Sequence, residues 1–357
     1  MKEGWKIVKI IDVATVVHGR DYKDVAAEQG YPVYGSGANV IAYANDYICE
    51  EGTTILGRKG TIDKPVFIEE KFWNIDTAFG IVAKECINKK YLYYGIKSID
   101  WASLNPGGVK PSLTQKIVYN QNIPLPSLAE QERIVAYLDT QFAKIDAMKA
   151  NAAKALAEAK ALFQAALTEA MTPKEGWTYQ PLEKYCKVQN GFAFDSKLFN
   201  TKEGTPLIRI RDVIRGFSET FTSEKADDVF LINDGDILIG MDGDFNVGEW
   251  HGGKAFLNQR VCKIIPGKDI CPRLILYLLP KELKKINDKT TFSTVKHLSS
   301  KQVNKVLIPI LSLAEQERIV TRLDALSAKV AALEGNYTQT VAECDALKQA
   351  LLREVFE

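Results

Sequence analysis

The sequence predicts an α+β protein in which two globular mixed domains are each followed by a long helix, the two helices pairing as an antiparallel coiled coil. Three observations predict this fold. A thirteen-residue motif occurs twice, and each copy opens a long segment without proline. The residues before each copy alternate short apolar runs with glycine turns. Together they indicate a pseudo-two-fold internal repeat of one domain with its helix.

The repeated motif sets the domain organisation. Residues 123–135 read IPLPSLAEQERIV and residues 308–320 read IPILSLAEQERIV, an offset of 185. The sequence KEGW opens each half, at 2–5 and again at 174–177. The offset of 185 also aligns Cys86 with Cys271 and Leu113 with Leu298. A period this long exceeds that of solenoid repeats, so it indicates duplication of a whole domain and its tail. The predicted segments are 1–126, 127–171, 172–311 and 312–357.

Each globular domain is predicted to contain short strands and one clear helix. Runs of β-branched and large apolar residues bounded by glycine turns favour strands, and apolar residues at helical spacing favour the helices. The predicted strands are 53–56, 79–82, 236–239 and 260–265, and the predicted helices are 89–97 and 272–286. The order of the strands does not follow from the sequence.

The long helices have clear starts and an apolar seam. Ser127 with Glu130, and Ser312 with Glu315, form the S-x-x-E pattern of a capping box. Apolar or small residues then recur at three- and four-residue spacing, which predicts a heptad seam. The predicted seam residues are Ile145, Met148, Ala152, Ala155, Ala159, Leu162 and Ala166 in the first helix and Val330, Leu333, Tyr337, Thr340, Cys344, Leu347 and Leu351 in the second. The alternative is that each helix packs only on its own domain.

Antiparallel helices in a duplicated chain have a functional consequence. They present two similar domains in inverted orientation, which matches the two-fold symmetry that relates the strands of DNA. Such a protein is able to read two half-sites on one duplex, with the gap set by the helices. Net charge is only +1, so attraction for nucleic acid has to come from local patches, chiefly in residues 172–311.

The layout of domain, long helix, domain and long helix, with the Pro-x-x-Ser-Leu-Ala-Glu-Gln-Glu-Arg-Ile type of entry at 124–134 and 309–319, resembles the specificity subunits of type I restriction–modification systems. The approach segments 113–116 and 297–300 fit the same pattern. The resemblance covers essentially the whole chain. One departure is that the conserved region follows each domain here, whereas many relatives carry part of it at the N-terminus.

The resemblance implies a non-catalytic subunit that reads a bipartite, asymmetric double-stranded DNA target. Each domain becomes a target-recognition domain. The helices dock two methyltransferase subunits, which bind S-adenosylmethionine, and restriction endonuclease/translocase subunits that use ATP and Mg²⁺. No cofactor or metal is expected on this chain, and a cytoplasmic location without membrane contact is expected.

Candidate DNA-reading residues lie where the two domains differ or where basic and polar residues follow glycine turns. Arginine is the commonest specific partner of guanine and also binds phosphate, and Asp242 is a possible acceptor for a cytosine amino group. Arg209 and Arg211 are predicted to share one strand face. The candidates are Tyr34, Ser36, Arg58, Lys59, Asn74, Lys110, Thr114, Lys116, Arg209, Arg211, Asn258, Arg260, Lys296 and His297.

Several kinds of chemistry find no support in the sequence. There is no phosphate-binding GxxxxGK[ST] loop, no HExxH pair and no CxxC pair, and the six scattered cysteines are expected to be reduced. The loop at 105–108 lacks the second proline and the aromatic residue of an adenine methyltransferase loop. Three alternatives stay open: the specificity subunit of a bipartite type IIB-like system, a coiled-coil adaptor that binds only protein, and a stand-alone DNA enzyme.

Overall fold

The computed structural model describes residues 4–289 and 296–357. Its chain divides into two compact units. The first unit contains Met1–Ala155 and Gly335–Glu357, and the second contains Leu156–Glu334. Each long helix therefore contributes one part to each unit. Lys2 and Glu3 of the first KEGW sequence lie outside the described residues.

The first unit combines short strands with three short helices. Its strands are β1 (Lys6–Lys9), β2 (Ala14–His18), β3 (Ala26–Ala27), β4 (Tyr31–Tyr34), β5 (Val40–Ala44), β6 (Thr53–Gly57), β7 (Val66–Ile68), β8 (Trp73–Asn74), β9 (Ala78–Ala83) and β10 (Asn122–Leu125). Its short helices are α1 (Ile10–Val13), α2 (Lys89–Ser98) and α3 (Gln115–Tyr119). The long helix α4 (Leu128–Ala170) begins here. The described strands form sheets in the orders β1-β10, β2-β9-β6-β7 and β3-β5-β4-β8.

The second unit repeats this plan. Its strands are β11 (Thr178–Pro181), β12 (Cys186–Asn190), β13 (Phe199–Asn200), β14 (Thr205–Ile208), β15 (Phe221–Thr222), β16 (Leu231–Ile232), β17 (Ile237–Gly240), β18 (Val247–Glu249), β19 (Ala255–Leu257), β20 (Val261–Pro266) and β21 (Leu307–Ile310). Its helices are α5 (Asp212–Arg215), α6 (Pro272–Lys289) and α7 (Ser300–Asn304), and α8 (Leu313–Phe356) starts in this unit. The described strands form sheets in the orders β11-β21, β12-β20-β17-β18 and β13-β15-β14-β19-β16.

The sheet orders confirm the internal repeat. The order β2-β9-β6-β7 matches β12-β20-β17-β18, and the parallel pair β4–β8 matches β14–β19. Strands β6 and β17 are buried along their whole length, so neighbouring residues such as Ile55 and Leu56 are both apolar instead of alternating with polar ones. The four strands and two helices predicted within the domains are confirmed, with ends displaced by at most three residues.

The alignment of the halves needs one correction. Leu113 and Leu298 do correspond, since each precedes the N-cap of a matching short helix. Cys271, however, occupies the place of Asn88 and not of Cys86, because both amide groups donate to the same glutamine of the repeated motif. The offset is thus 183 at this point and 185 at α3 and α7. The second unit has two more residues between them, where α6 is longer than α2.

The long helices run antiparallel within each unit. In the first unit, Lys149 pairs with Asp345 at 2.8 Å and Lys348 pairs with Asp146 at 2.5 Å. In the second unit, Lys160 pairs with Glu334 at 2.6 Å and Arg322 pairs with Glu169 at 2.9 Å. In both sets a later position on α4 meets an earlier position on α8. The antiparallel prediction is therefore confirmed, and the alternative of each helix packing only on its own domain is wrong.

The predicted seam is wrong at alternate positions of α4 and at one position of α8. Ile145 and Cys344 are buried, and Val330, Leu333 and Leu351 are partly buried, as predicted. Met148, Leu162 and Leu347 are instead exposed, by 54%, 60% and 47% of their surface. Lys149, Phe163 and Lys348, one residue further on, are the less exposed neighbours. Apolar residues alone did not show whether the seam continues from Ile145 with a spacing of three residues, to Met148, or of four, to Lys149. The aliphatic stem of a lysine also covers apolar surface, so a lysine is able to occupy a seam position.

The starts of both long helices are capped by serine. The Ser127 hydroxyl accepts from the Glu130 amide at 3.4 Å, and the Ser312 hydroxyl accepts from the Glu315 amide at 3.3 Å. The Glu130 carboxylate binds Arg133 at 2.7 Å. The hydroxyl half of each predicted capping box is confirmed. No helix in the described residues is long and apolar enough to cross a membrane.

Candidate nucleic-acid interface

A turn follows strand β6 in the first unit and strand β17 in the second. Each turn is held by hydrogen bonds to the segment that leads into the next short helix, α3 or α7. In the first unit the Leu113 amide donates to the Arg58 carbonyl at 2.8 Å, and Gly60 donates to Pro111 at 2.9 Å. In the second unit Leu298 donates to Met241 at 2.7 Å, and Gly243 donates to Lys296 at 3.0 Å. The same backbone frame is built twice. We call it the reading edge: residues 57–60 with 110–116 in the first unit, and 240–243 with 296–300 in the second.

The first reading edge is basic and polar. Arg58 donates to the Asp76 carbonyl at 3.1 Å, and Lys59 lies 3.8 Å from the Asp76 carboxylate. Ser36 lies beside the turn, because a Cβ atom at Gly60 would be 3.5 Å from its hydroxyl. The structure therefore brings Ser36, Arg58 and Lys59 together.

The segment that faces this turn carries three further candidates. Thr114 caps α3, its hydroxyl accepting from the Ile117 amide at 3.3 Å. Lys110 and Lys116 are exposed on either side of it. All three stay candidates for phosphate contact, because a lysine ammonium and a helix N-terminus both favour phosphate oxygens.

Two candidates of the first unit are buried and do not present polar groups to solvent. Asn74 is fully buried, donates to the Ala78 carbonyl at 2.9 Å and accepts from the Cys49 thiol at 3.3 Å. Tyr34 is 7% exposed and its hydroxyl donates to Glu70 at 3.0 Å. Burial and the Glu70 carboxylate raise the pKa of Tyr34 to about 12. These side chains satisfy polar groups inside the unit, so we withdraw them as DNA contacts.

The two arginines of the second unit follow a strand and do not lie on its face. Strand β14 ends at Ile208, and Arg209 and Arg211 lie in the turn before α5. The buried Asp212 carboxylate holds this turn, since it accepts from the Arg209 amide at 2.9 Å and lies 3.7 Å from the Arg211 guanidinium. Both arginine side chains are exposed. The prediction that Arg209 and Arg211 share one strand face is wrong, but both side chains are exposed from the turn.

The arginine turn borders a cleft of about 430 Å³. Asn258 and Arg260 line its other side, and Phe194 and Phe199 contribute apolar surface. Asn258 is 6% exposed and accepts from the Arg260 amide at 3.3 Å. Its role is therefore partly to hold the Arg260 backbone. The structure groups Arg209, Arg211 and Arg260 around one opening.

The second reading edge is centred on a carboxylate. Asp242 lies 2.6 Å from the His297 ring and 3.4 Å from the Arg260 guanidinium. Lys296 donates to the Asn287 carbonyl at 2.7 Å and its amide oxygen at 2.8 Å. Sequence analysis listed His297, Arg260 and Lys296 among the candidate DNA-reading residues. It mentioned Asp242 only as a possible acceptor for a cytosine amino group and predicted no contact between Asp242 and these residues. No cluster of histidine, cysteine and carboxylate groups able to hold a metal is found in residues 4–289 and 296–357.

Sequence reasoning missed the polar groups that fix the long helices to the domains. Gln131 and Gln316 of the repeated motif are 0% and 2% exposed. Gln131 accepts from the Asn88 amide and Gln316 accepts from the Cys271 amide, both at 2.7 Å. The signal was available, because a glutamine identical in both copies and flanked by apolar residues at helical spacing lies on the buried side.

A second repeated anchor is aspartate. Asp139 accepts from the Tyr94 hydroxyl and pairs with Lys90 at 2.9 Å. Asp324, which is 185 residues later, accepts from the Tyr277 hydroxyl at 2.5 Å and pairs with Arg273 at 2.7 Å. Burial and the Asp324 carboxylate raise the pKa of Tyr277 to about 12. The same interaction thus joins each long helix to the helix that packs beside it.

Comparisons with known proteins agree with this architecture. A family model described as the type I restriction modification DNA specificity domain matches residues 2–157 and again residues 174–342. The specificity subunit of the type I restriction enzyme EcoBI from Escherichia coli is 37% identical over 195 residues, which cover 54% of this chain and 41% of that protein. The chain thus spans about two fifths of the length of that curated relative.

Two solved structures share the fold. A chain from a study of complex assembly and conformational transition in the type I R-M system has a TM-score of 0.79 and 22% identity, covering 99% of this chain and 98% of its own. The HsdS subunit from Thermoanaerobacter tengcongensis has a TM-score of 0.61 and 21% identity, covering 100% of this chain and 97% of its own. At these identities the likeness concerns the arrangement of helices and strands.

Proposed function

The chain belongs to the family of type I restriction modification DNA specificity domains, and on that premise we propose that it is the DNA-reading subunit of a type I restriction–modification complex. Its two units read the two halves of a bipartite, asymmetric target on double-stranded DNA. The chain supplies recognition and has no active site of its own. Methylation, ATP-driven translocation and cleavage belong to partner subunits, which carry S-adenosylmethionine, Mg²⁺ and ATP. The complex acts in the cytoplasm.

One observation carries the reading role. The two units build the same backbone frame at their reading edges but place unlike side chains on it. Lys59 occupies the frame position of Asp242, and Ser112 occupies that of His297, because each forms the matching backbone bridge. A common frame with different polar groups supports two half-sites of different sequence, since hydrogen-bond donors and acceptors on base edges discriminate the bases.

The helix starts support two copies of one docking partner. Leu128, at the start of α4, and Leu313, at the start of α8, are 48% and 44% exposed. Ala129, Glu132 and Arg133 are exposed as well, and the second copy has identical residues in the same positions. Burial explains why Gln131 is repeated, but it does not explain identity at exposed positions. An identical exposed surface on both units fits binding of the same protein twice, which we assign to the methyltransferase subunit.

The proposal is tested with the chain reconstituted with its methyltransferase partner. The complex is incubated with duplexes that carry randomised sequence, and the methylated products are sequenced. We expect one target with two defined halves. Exchanging residues 1–126 for the corresponding domain of another family member is expected to change one half and leave the other half unchanged. Equal methylation of all duplexes would contradict the reading role and favour a protein-only adaptor.

A further inference from the structure

Asp242 orients two exposed side chains that come from different segments of the second unit. One carboxylate oxygen lies 2.6 Å from His297 Nδ1, and the other lies 3.4 Å from an Arg260 Nη atom. The Asp242 side chain is only 16% exposed, whereas those of Arg260 and His297 are each 54% exposed. The carboxylate is thus the inner member of the group. The two nitrogen-bearing side chains are the outer members.

The backbone around Asp242 is fixed on both sides. The Met241 amide donates to the Arg260 carbonyl at 2.9 Å, and the Leu298 amide donates to the Met241 carbonyl at 2.7 Å. The next residue, Gly243, has a φ of +77° and donates to Lys296 at 3.0 Å. The left-handed conformation at Gly243 closes the turn tightly. Because all three segments are held by main-chain bonds, the positions of the three side chains are built into the fold.

We propose that Asp242, Arg260 and His297 form a guanine-reading group for the half-site of the second unit. This inference rests on the proposed DNA-reading function. Guanine presents two acceptors, N7 and O6, in the major groove, and an arginine guanidinium donates to both at once. Asp242 forms an ion pair with one Nη atom of Arg260 at 3.4 Å and leaves the other guanidinium N–H groups for the base. Arg260 contacts the guanine, and Asp242 is the positioning residue.

Fixing the arginine in advance explains why the carboxylate is present. A free arginine loses side-chain entropy when it binds a base, and this loss of entropy weakens binding. Arg260 has lost part of that freedom already. In the neutral ring that donates its Nδ1 proton to Asp242, the Nε2 atom of His297 is left to accept a hydrogen bond from a donor on a neighbouring base.

The first unit lacks this group. Lys59 stands in the frame position of Asp242 and Ser112 in that of His297. Thr77 stands in the position of Arg260, since the Lys59 and Arg58 amides both donate to its carbonyl. A lysine in place of the inner carboxylate does not hold a guanidinium. The structure therefore confines this mode of guanine reading to one half of the target.

The test uses the reconstituted complex with a randomised duplex library, comparing wild type with Arg260→Lys and Asp242→Asn. Arg260→Lys keeps the charge and removes the planar fork. We expect it to lower discrimination at one G·C position by about 5- to 150-fold, the effect of one bidentate contact worth about 1–3 kcal/mol. Asp242→Asn is expected to relax the same position by a smaller factor. Arg215→Lys, an exposed change in the same unit, is the matched control and is expected to change no position.

Two outcomes would overturn the inference. If Arg260→Lys changes no position while Arg260→Ala weakens binding equally for all sequences and lowers the salt dependence, Arg260 contacts phosphate. If target preference is unchanged in both variants, the group reads no base. Thermal unfolding shows whether Asp242→Asn folds, and the exposed Arg260→Lys variant decides the question if it does not. Wild type that methylates all sequences alike would instead contradict the proposed function itself.

Discussion

The amide oxygen of Gln131 accepts a hydrogen bond from the backbone N–H of Asn88 at 2.7 Å. Its amide nitrogen donates to the Pro126 carbonyl at 2.9 Å, so one buried side chain fastens the start of α4 to the start of α2. Gln316 does the same in the second unit, accepting from Cys271 at 2.7 Å and donating to Leu311 at 3.0 Å. The repeated motif is therefore partly a structural joint.

Replacing this joint is expected to destabilise one unit. In Gln131→Leu, the partly buried Asn88 amide and the Pro126 carbonyl lose their partner, and each unsatisfied group costs about 1–3 kcal/mol when it is shielded from water. We expect a loss of roughly 2–4 kcal/mol in the free energy of unfolding of the first unit, measured by denaturant titration. The exposed neighbour change Glu132→Gln serves as control. A loss no larger than that of the control would show that Gln131 is dispensable.

The corrected phase of the helix seam predicts unequal costs for matched truncations. Ile145 is 3% exposed and Met148 is 54% exposed on the same helix. Ile145→Ala is expected to cost about 2–4 kcal/mol, and Met148→Ala to stay within about 0.5 kcal/mol. Hydrogen exchange of α4 amides and denaturant unfolding both report the difference. Equal destabilisation by the two changes would contradict the corrected seam and support the sequence-based prediction that Met148 lies in it.

Alkaline pH is expected to weaken the second unit through Tyr277. Its pKa is raised from 10.0 to about 12, by burial first and then by the Asp324 carboxylate. The folded state thus favours the neutral phenol. The stabilisation is complete below pH 10 and is lost as pH rises towards 12. Unfolding curves across this range should decline less steeply for Tyr277→Phe than for wild type. Tyr137→Phe, at an exposed position on α4, should follow wild type.

An insertion where α4 passes from the first unit to the second is expected to change the gap between the two halves of the DNA target. Four residues inserted after Ala155 lengthen a helix by about 6 Å and shift its apolar stripe. We expect an altered gap between the two target halves, or no methylation, in the sequencing assay. The same insertion between Gly107 and Gly108, in an exposed turn, should leave the gap unchanged. An unchanged gap in both variants would argue against a role of the helices in spacing.

More of the fold than of the candidate DNA-binding site was predictable from the sequence. The duplicated motif, the serine caps and the apolar strands predicted the elements because these features follow from local periodicity. The buried hydrogen bonds of Tyr34 and Asn74 were not predictable, because their partners Glu70 and Cys49 are distant in the sequence and come close only after the strands assemble. The individual candidate DNA contacts that remain are predictions still. The grouping of those candidates that lie at the two reading edges arises from pairing between segments about 50 residues apart in the sequence.

The division of α8 between the units has a consequence for the order of folding. The second unit, Leu156–Glu334, is continuous in the sequence, whereas the first needs Gly335–Glu357 to complete its core. Phe356 packs on Tyr91 with ring centroids 5.0 Å apart, and Leu352 is fully buried in the same core. During synthesis the first unit therefore completes its core only after Gly335–Glu357 has left the ribosome. The later-made unit is free to fold first, which reverses the usual vectorial order.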